Sequence, residues 1–367
     1  MSTTFAVGRS DLRRTEWIEQ PRVAVVAGQV RMRIDSFALT SNNITYGAFG
    51  SAMHYWDFFP LADPALGCIP VWGFATVTES RASGVAEGDR FYGYFPMADD
   101  VVLEPASVRA DGFTDGALHR RELAKVYNRY LRCDADPLYD AAHEGLLALL
   151  RPLFTTSFLI EDFLHENGCF GARRVLISSA SSKTAYGLAF CLAGRRAAGG
   201  GGGPTAVGLT SPGNVAFTRR LGCYDEVVRY DDIASLASGE TAVYVDMSGD
   251  VGVREAVHRH WLDRLGYSCA VGATHWEHGG GGTGLPGPRP VLFFAPSQSV
   301  KRIAEVGANT FNEGLAAAWS AFVRRVGDAE HPWLRVVTGS GRAAILETYR
   351  ALLDGQVPPD EGRILKM

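Results

Sequence analysis

The sequence lacks the features that mark several large classes of protein. No hydrophobic run reaches the roughly 18 residues needed to span a bilayer, and the polar residues 1–14 do not resemble a secretory signal. The six cysteines lie singly, without zinc-site spacing or the density of a disulfide framework. A basic excess is also absent, because 36 Lys and Arg face 40 Asp and Glu, for a formal net charge of −4. We therefore expect a cytoplasmic protein with reduced thiols that binds neither membranes nor nucleic acid.

The length and composition leave room for two globular domains. With 367 residues, 46% of them hydrophobic, the chain exceeds the usual size of a single domain. The first third contains short β-rich runs separated by Gly and Pro turns, which predicts a compact, barrel-like all-β unit. The expected strands are residues 22–26, 30–37, 71–79, 90–94 and 101–104.

From residue 146 onward the hydrophobic pattern changes. A long apolar helix is expected at residues 146–163, started or kinked by Pro152. Apolar runs then alternate with helical segments, which predicts an α/β fold with an open parallel sheet wrapped by helices. The expected strands are residues 175–177, 206–209, 227–229, 242–246, 268–272 and 291–295. The expected helices are residues 184–192, 214–221, 233–236 and 253–265, and a last section adds helix 309–326, strand 334–337 and helix 342–354.

A Ser-rich turn directly follows the first strand of the predicted parallel sheet. An open parallel sheet binds anions at this point, where the strand runs into the N-terminus of a helix. Residues 178–184 read S-S-A-S-S-K-T, with Ser and Lys where the glycines of a G-x-G-x-x-G turn are expected. The alternative is a Ser-rich helix cap with a solvated lysine. The candidate ligands of a cofactor pyrophosphate are Ser179, Ser181, Ser182, Lys183 and Thr184.

The end of the second predicted strand lacks the carboxylate that selects NAD. Such an acid usually binds the ribose 2′-hydroxyl, whereas here Thr210, Ser211 and Asn214 are followed by Arg219. Hydroxyls with a nearby cation suit a 2′-phosphate, which favours NADPH, although the same residue types are common in turns. Lys301 and Arg302 are further candidate ligands of a phosphate or an acidic substrate, or else belong to a solvated helix start.

Several motifs occur in an order that resembles a known superfamily. They are G-V-A-E-G-D-R-F-Y-G at 84–93, N-N-I-T-Y at 42–46, A-V-Y-V-D-M-S-G at 242–249 and the closing segment 352–365. Together they resemble the zinc-free quinone oxidoreductase and enoyl reductase branch of the medium-chain dehydrogenase/reductase superfamily. Within it the chain looks most like the uncharacterised family DUF2855, over residues 31–366.

This resemblance implies a fold, a cofactor and an assembly. The fold is a GroES-like β-barrel catalytic domain of residues 1–150 and 327–367, with a Rossmann-like, doubly wound parallel sheet at 151–326. The second domain would bind NADPH, with Ser248 and Thr274 as further contacts, and Thr274, His275 and Trp276 would line the cleft beside the nicotinamide. The alternative for this loop is that it only covers the edge of the sheet. Relatives commonly pair their last sheet strands, so we expect a homodimer formed through residues 291–295.

The chain departs from the zinc-dependent members of this superfamily. The segment G-C-I-P-V-W-G at 67–73 is not followed by His-Glu, and Cys68 stands alone. Catalytic zinc needs about three protein ligands, so we expect no metal. His258 and His260 lie two residues apart on a predicted helix and face different sides, which predicts a solvated surface pair.

The resemblance also implies hydride transfer from NADPH to a small molecule, namely an activated alkene, quinone or carbonyl compound. Tyr46 is the leading catalytic candidate, because a phenol donates a hydrogen bond to a developing enolate and gives up a proton if its pKa is lowered. His275 is the reserve acid. The alternative for Tyr46 is a merely hydrogen-bonded residue of a buried aromatic cluster. The candidate substrate-pocket residues are Asn43, Tyr55, Trp56, Phe58 and Trp276.

Two other functions remain open at this point. The chain could be a ligand-binding or structural protein on a degenerate reductase scaffold, if Lys183 and the seryl side chains fill the pyrophosphate volume. It could also be an enzyme that uses the same cleft for a phosphorylated or acyl-carrier-bound ligand without redox chemistry.

Overall fold

The computed structural model describes residues 1–271 and 284–367. Over these residues the chain forms two compact units, one made of Met1–Leu149 and Leu334–Met367 and the other of Leu150–Trp333. The two ends of the described sequence thus fold together in the first unit, and the central segment forms the second. No described helix is both long enough and apolar enough to cross a membrane.

The secondary structure of the described residues follows the chain in this order. The strands are β1 (Ser2–Gly8), β2 (Thr15–Gln20), β3 (Val30–Leu39), β4 (Leu66–Gly67), β5 (Val71–Ser80), β6 (Arg90–Phe95), β7 (Asp100–Leu103), β8 (Pro105–Arg109), β9 (Gly112–Asp115), β10 (Arg129–Arg132), β11 (Arg174–Ile177), β12 (Thr205–Thr210), β13 (Glu226–Arg229), β14 (Ala242–Asp246), β15 (Leu265–Ala270), β16 (Val291–Leu292), β17 (Arg335–Ser340) and β18 (Glu361–Lys366). The helices are α1 (Ser41–Ala48), α2 (Glu144–Glu166), α3 (Lys183–Ala198), α4 (Val215–Leu221), α5 (Val251–Trp261), α6 (Ala295–Val306), α7 (Ala308–Val326) and α8 (Gly341–Leu353).

The first unit is built mainly from antiparallel strands around an apolar core. β1 lies between β2 and β4, and a larger sheet runs in the order β17-β18-β3-β5-β6-β10-β9-β8, with β7 also paired to β3. β17 and β8 end this path, so the described strands do not close into the GroES-like barrel that the resemblance implied. Phe37 of β3 and Tyr94 of β6 are fully buried in this core.

The N-terminal segment differs from its sequence-based prediction. Residues 22–26 form no strand, and Val23 is 72% exposed. Instead β1 pairs antiparallel with β2, opposing Phe5 to Trp17. Phe5 and Val7 of β1 are fully buried. The apolar run at 22–26 is rich in β-forming residues, but a strand also needs a hydrogen-bonded neighbour, and here β1 and β2 provide one for each other.

The second unit contains the predicted open parallel sheet. Its six described strands are all parallel, in the order β13-β12-β11-β14-β15-β16. The chain therefore winds from β11 outward in one direction and then from β14 in the other, which makes the edge between β11 and β14 a topological switch point. The Rossmann-like part of the prediction is confirmed. Buried side chains such as Leu176, Tyr244 and Trp261 form the core between the sheet and its helices.

Two details of the second unit depart from the sequence-based prediction. The last strand covers only Val291–Leu292, because helix α6 begins at Ala295 with Pro296 in its first turn, a position that suits proline. Helix α2 begins at Glu144 and contains Pro152, so this proline does not start the helix.

Candidate functional site

The turn between β11 and α3 is tied to the end of β14 by a buried serine. Ser178 is fully buried, and its Oγ donates to Oδ1 of Asp246 at 3.0 Å. The Oγ of Ser178 also accepts the main-chain N–H groups of Met247 and Ser248, at 3.0 and 3.1 Å. These three bonds join the carboxyl ends of the two central strands, so Ser178 is a structural residue of the switch point.

Asp246 is the centre of this network. Asp246 is 1% exposed, and its Oδ2 receives the Nε of Arg254 at 2.9 Å, with Arg254 itself 3% exposed. Its Oδ1 also accepts from the hydroxyl of Ser248 and from the N–H of Gly249. Gly249 has a φ of +66°, a left-handed conformation that favours glycine. The D-x-x-G pattern of the sequence thus folds a loop back onto its own aspartate, and the Ser248 hydroxyl is already engaged.

Main-chain groups of the turn are held by tyrosines that the sequence analysis did not single out. The N–H of Ser179 donates to the hydroxyl of Tyr230 at 3.0 Å, and Ser179 has a φ of +50°. The hydroxyl of Tyr224 donates to the carbonyl of Ala180 at 2.8 Å. Tyr230 directly follows β13, and a polar residue just after a strand of a parallel sheet is the signal that could have identified it.

The predicted pyrophosphate ligands divide into engaged and accessible groups. Ser182 is the N-cap of α3, and its hydroxyl accepts the N–H of Ala185 at 3.3 Å. Ser181 is buried, whereas Ser179, Lys183 and Thr184 are partly exposed. The N–H of Thr184 has no acceptor within the helix, since it lies in the first turn. This helix start therefore offers a main-chain donor and hydroxyls to an anion.

A cavity of about 530 Å³ opens beside the ends of β12 and β13. Arg219 lines it, while Arg229 in the same wall is paired with Asp232 at 2.6 Å. Asn214 donates to Ser211 at 3.1 Å and Thr210 is buried, so these predicted ligands lie in or under the neighbouring turn. The lining residues are Pro212, Val215, Arg219, Glu226, Val227, Val228, Arg229, Asp232 and Ser235.

Other candidates of the second unit have structural partners. Lys301 pairs with Glu166, and Arg302 pairs with Asp162 at 2.6 Å, so both cations join α6 to α2. The prediction of a solvated pair at His258 and His260 is wrong for His258, which is fully buried between Pro286 O and Ser268 Oγ, each at 2.9 Å. Burial on this face of α5 lowers the pKa of His258.

In the first unit, the predicted catalytic tyrosine lies in a cluster of aromatic rings. Tyr46 of α1 is 5% exposed, and its hydroxyl accepts the amide N–H of Asn42 at 2.8 Å and the indole N–H of Trp72 at 3.4 Å. Its ring contacts that of Tyr55 with a centroid distance of 4.5 Å. Burial raises the pKa of Tyr46 well above its usual range. Proton donation was expected to require a lowered pKa. Tyr46 is therefore a neutral hydrogen-bonding group at physiological pH.

The other predicted pocket residues of this unit have different environments. Asn43 is buried and links the Thr40 N–H to the Pro70 carbonyl, at 2.8 and 2.9 Å, which makes it part of the N-terminal cap of α1. Trp56 and Phe58 are buried in the core, whereas Tyr55 is partly exposed. The remaining candidates, Thr274, His275 and Trp276, lie outside the described residues.

Sequence reasoning missed two further tyrosines of the same cluster. The ring of Tyr127 lies 4.7 Å from that of Tyr94, and its hydroxyl contacts that of Tyr55 at 3.3 Å. Burial raises the pKa of both Tyr94 and Tyr127. No local pattern indicates this contact, because more than 70 residues separate Tyr55 from Tyr127.

The fold is similar to that of several solved oxidoreductases. CurA from Vibrio vulnificus, in complex with NADPH, has a TM-score of 0.62 at 11% identity, over 99% of this chain and 98% of the other. A putative NADPH:quinone reductase from Bacillus thuringiensis has a TM-score of 0.56 at 11% identity, over 100% and 99%. The yhdH oxidoreductase from Salmonella enterica, in complex with NADP, has a TM-score of 0.52 at 14% identity, over 100% of both chains.

No curated protein matches the sequence. A family assignment comes instead from a sequence profile, which matches residues 37–358, most of the chain. This match confirms the resemblance found in the sequence. The chain belongs to the family described as protein of unknown function, DUF2855.

Proposed function

We propose that the protein is a zinc-independent, NADPH-dependent reductase of a small molecule, namely an activated alkene, quinone or carbonyl compound. One observation carries the proposal. At the switch point of the parallel sheet, helix α3 begins next to the partly exposed residues Ser179 and Thr184, in the arrangement that binds a dinucleotide pyrophosphate. The solved structures of similar fold that contain NADPH or NADP support it.

The residues of the second unit fit such a cofactor at two places. Thr184 and Ser179 would hold the pyrophosphate together with the hydroxyl of Tyr230, which accepts from Ser179 and keeps its own proton for a ligand. Lys183 adds a positive charge near the helix start. Arg219, in the wall of the cavity beside β12, would bind the 2′-phosphate.

Bound NADPH would supply the hydride, and the chain's own residues would bind, orient and polarise the acceptor. The tyrosine cluster of the first unit contains hydroxyls that stay protonated, since burial raises their pKa. Neutral phenols can donate hydrogen bonds to an acceptor oxygen of a small molecule.

A second function is favoured by one specific feature. The N–H of Ser179 is already bonded to Tyr230, and the hydroxyls of Ser178 and Ser182 serve the protein itself. A turn with fewer available donors would suit a ligand-binding or structural protein on a reductase scaffold that no longer uses a dinucleotide.

Cofactor titration separates the two functions. Purified protein is titrated with NADPH and with NADH, following nicotinamide fluorescence, and the reductase proposal expects saturable binding that is tighter for NADPH. Oxidation of NADPH at 340 nm is then measured with 1,4-benzoquinone and with cyclic enones. Absence of binding at millimolar NADPH would contradict the reductase and favour the second function.

A further inference from the structure

Two arginines line the cavity at the ends of β12 and β13, and they differ in their partners. Arg219 of α4 has no ion pair among the described residues, whereas Arg229 at the end of β13 is paired with Asp232. Glu226, another acid of the cavity wall, is paired with Arg174 at 3.2 Å. Among the described charges that line the cavity, Arg219 is therefore the one without a counter-ion.

A single guanidinium balances only part of the charge of a phosphate monoester. Such a group carries about −1.5 to −2 charges at pH 7, so Arg219 alone would leave the 2′-phosphate of the proposed cofactor partly uncompensated. Arg229 is a second cation in the same wall, and its Nε and Nη2 donate to the two carboxylate oxygens of Asp232, at 2.6 and 3.1 Å. A guanidinium binds two phosphate oxygens in the same two-pronged way. Asp232 therefore occupies the donors that a phosphate would use.

The main chain around Arg229 is held in place on both sides. Arg229 is the register partner of Thr210 in the pairing of β12 with β13, so it stands at the carboxyl edge of the sheet, where open parallel sheets bind ligands. The hydroxyl of the next residue, Tyr230, accepts the N–H of Ser179 at 3.0 Å. The side chain of Arg229, in contrast, is 51% exposed. A change of partner would therefore require only a rotation of this side chain.

The ion pair that would have to open is weak. Arg229 and Asp232 are three residues apart, and the side chain of Asp232 is 40% exposed. An exposed ion pair contributes little to stability, because water solvates both charges when they separate. A phosphate carries more negative charge than the carboxylate, and in this cavity it would contact Arg219 as well. Exchange of the carboxylate for the phosphate is therefore favourable, and the released Asp232 stays solvated.

We propose that Arg229 is a second ligand of the 2′-phosphate and that Asp232 competes with this phosphate for it. Asp232 is then a specificity-determining residue, because its pair with Arg229 must open for NADPH but not for NADH, which lacks the phosphate. The carboxylate keeps the preference for NADPH below the value that two available arginines would give. This inference rests on the proposed function for the identity of the ligand, and it deepens that function by naming the group that limits cofactor choice.

The test measures affinity and not turnover. The full-length protein is titrated with NADPH and NADH by nicotinamide fluorescence, and with adenosine 2′,5′-bisphosphate and adenosine 5′-monophosphate by calorimetry. The two adenosine compounds differ only in the 2′-phosphate and carry no nicotinamide, so they report on the cavity independently of hydride transfer. The unsubstituted protein is expected to bind the bisphosphate more tightly than the monophosphate.

Two substitutions and their combination test the exchange. Asp232→Asn is expected to tighten the binding of NADPH and of the bisphosphate about two- to fivefold, the strength of an exposed ion pair. Arg229→Gln is expected to weaken both about fivefold or more, by loss of a charge-assisted contact, and neither change should alter the affinity for NADH or the monophosphate. Asp231→Asn is the matched control, because it removes the same charge one residue away, outside the cavity lining. In the double variant the gain from Asp232→Asn is expected to fall to the level of this control, because no guanidinium is left to release.

The outcomes distinguish this inference from the proposed function. If NADPH binds but Asp232→Asn tightens its binding no more than Asp231→Asn does, or if Arg229→Gln leaves its affinity unchanged, the inference is wrong and the reductase proposal stands. If the substitutions act as expected on the bisphosphate while NADPH does not bind, the phosphate site stands and the reductase proposal falls. If neither NADPH nor the bisphosphate binds, both are wrong. Thermal unfolding of each variant checks that the fold is retained.

Discussion

The buried pair of Asp246 and Arg254 is expected to control the stability of the switch point. Asp246→Asn keeps the size of the side chain and one carbonyl oxygen for Ser178, Ser248 and Gly249, but removes the negative charge. The guanidinium of Arg254, 3% exposed, would then be a buried charge without its counter-ion. Breaking a buried pair in this way costs about 3–5 kcal/mol, a large share of the roughly 5–15 kcal/mol by which domains are stable.

A double-mutant cycle measures the interaction directly. Arg254→Met removes the second charge and keeps an apolar side chain of similar length, so the double substitution should recover part of the loss, with a coupling of about 2 kcal/mol or more. Free energies of unfolding come from urea titrations followed by circular dichroism. Arg259→Met is the control, because it breaks an exposed i,i+4 pair with Glu255, which is worth about 0.3–0.5 kcal/mol. If D246N cost no more than R259M, or if the two single losses simply added, the pair would not hold the loops together.

Three further predictions address cofactor choice, pH dependence and assembly. Arg219→Glu should weaken NADPH binding at least tenfold, by loss of a charge-assisted bond, and leave the affinity for NADH unchanged. Arg220→Glu is the neighbouring control. An equal loss of affinity for both cofactors would contradict a 2′-phosphate contact. Burial lowers the pKa of His258 below its usual 6.5, so the neutral ring is favoured in the fold. Stability should therefore be full above about pH 6.5 and fall as the pH drops below it; His258→Asn should flatten this dependence in urea midpoints, whereas His331→Asn, at an exposed position, should not. Val291 and Leu292 form an exposed edge strand, 45% and 37% exposed. We propose that it pairs with a second copy, so Leu292→Lys should shift a dimer to monomer in light scattering, and an unchanged mass would reject this interface.

The parallel sheet was predictable because its strands are buried on both faces. Such strands appear in the sequence as continuous apolar runs, and the expected strand at 242–246 coincides with β14. The helices between them are marked by amphipathic spacing, and α7 starts within one residue of its expected position. The turn after β11 could be located for the same reason, since it lies between a recognisable strand and a recognisable helix.

The contacts around each site were less predictable, because they depend on residues far apart in sequence. Nothing near Tyr127 indicates that its hydroxyl meets that of Tyr55, and nothing near Tyr230 indicates its bond to Ser179. His258 was expected at the surface because its helical spacing from His260 places the two on different sides. That argument fixes their relative directions, but it does not tell which side is covered, and in the structure α5 buries His258.

Ser179 explains how the turn follows its path without the expected glycines. Its φ of +50° is in the left-handed region that glycine adopts freely, and this conformation costs a serine on the order of 1 kcal/mol. Tyr230 bonds to the N–H of this residue, and the preceding Ser178 is fixed to Asp246 by a buried hydrogen bond. The strain is therefore balanced by tertiary contacts and not avoided by a glycine. A turn held in this way is ordered before a ligand binds. Its conformation depends on Tyr230 and Asp246, whereas a G-x-G-x-x-G turn depends on its glycines. The missing glycines therefore do not by themselves indicate a lost binding site.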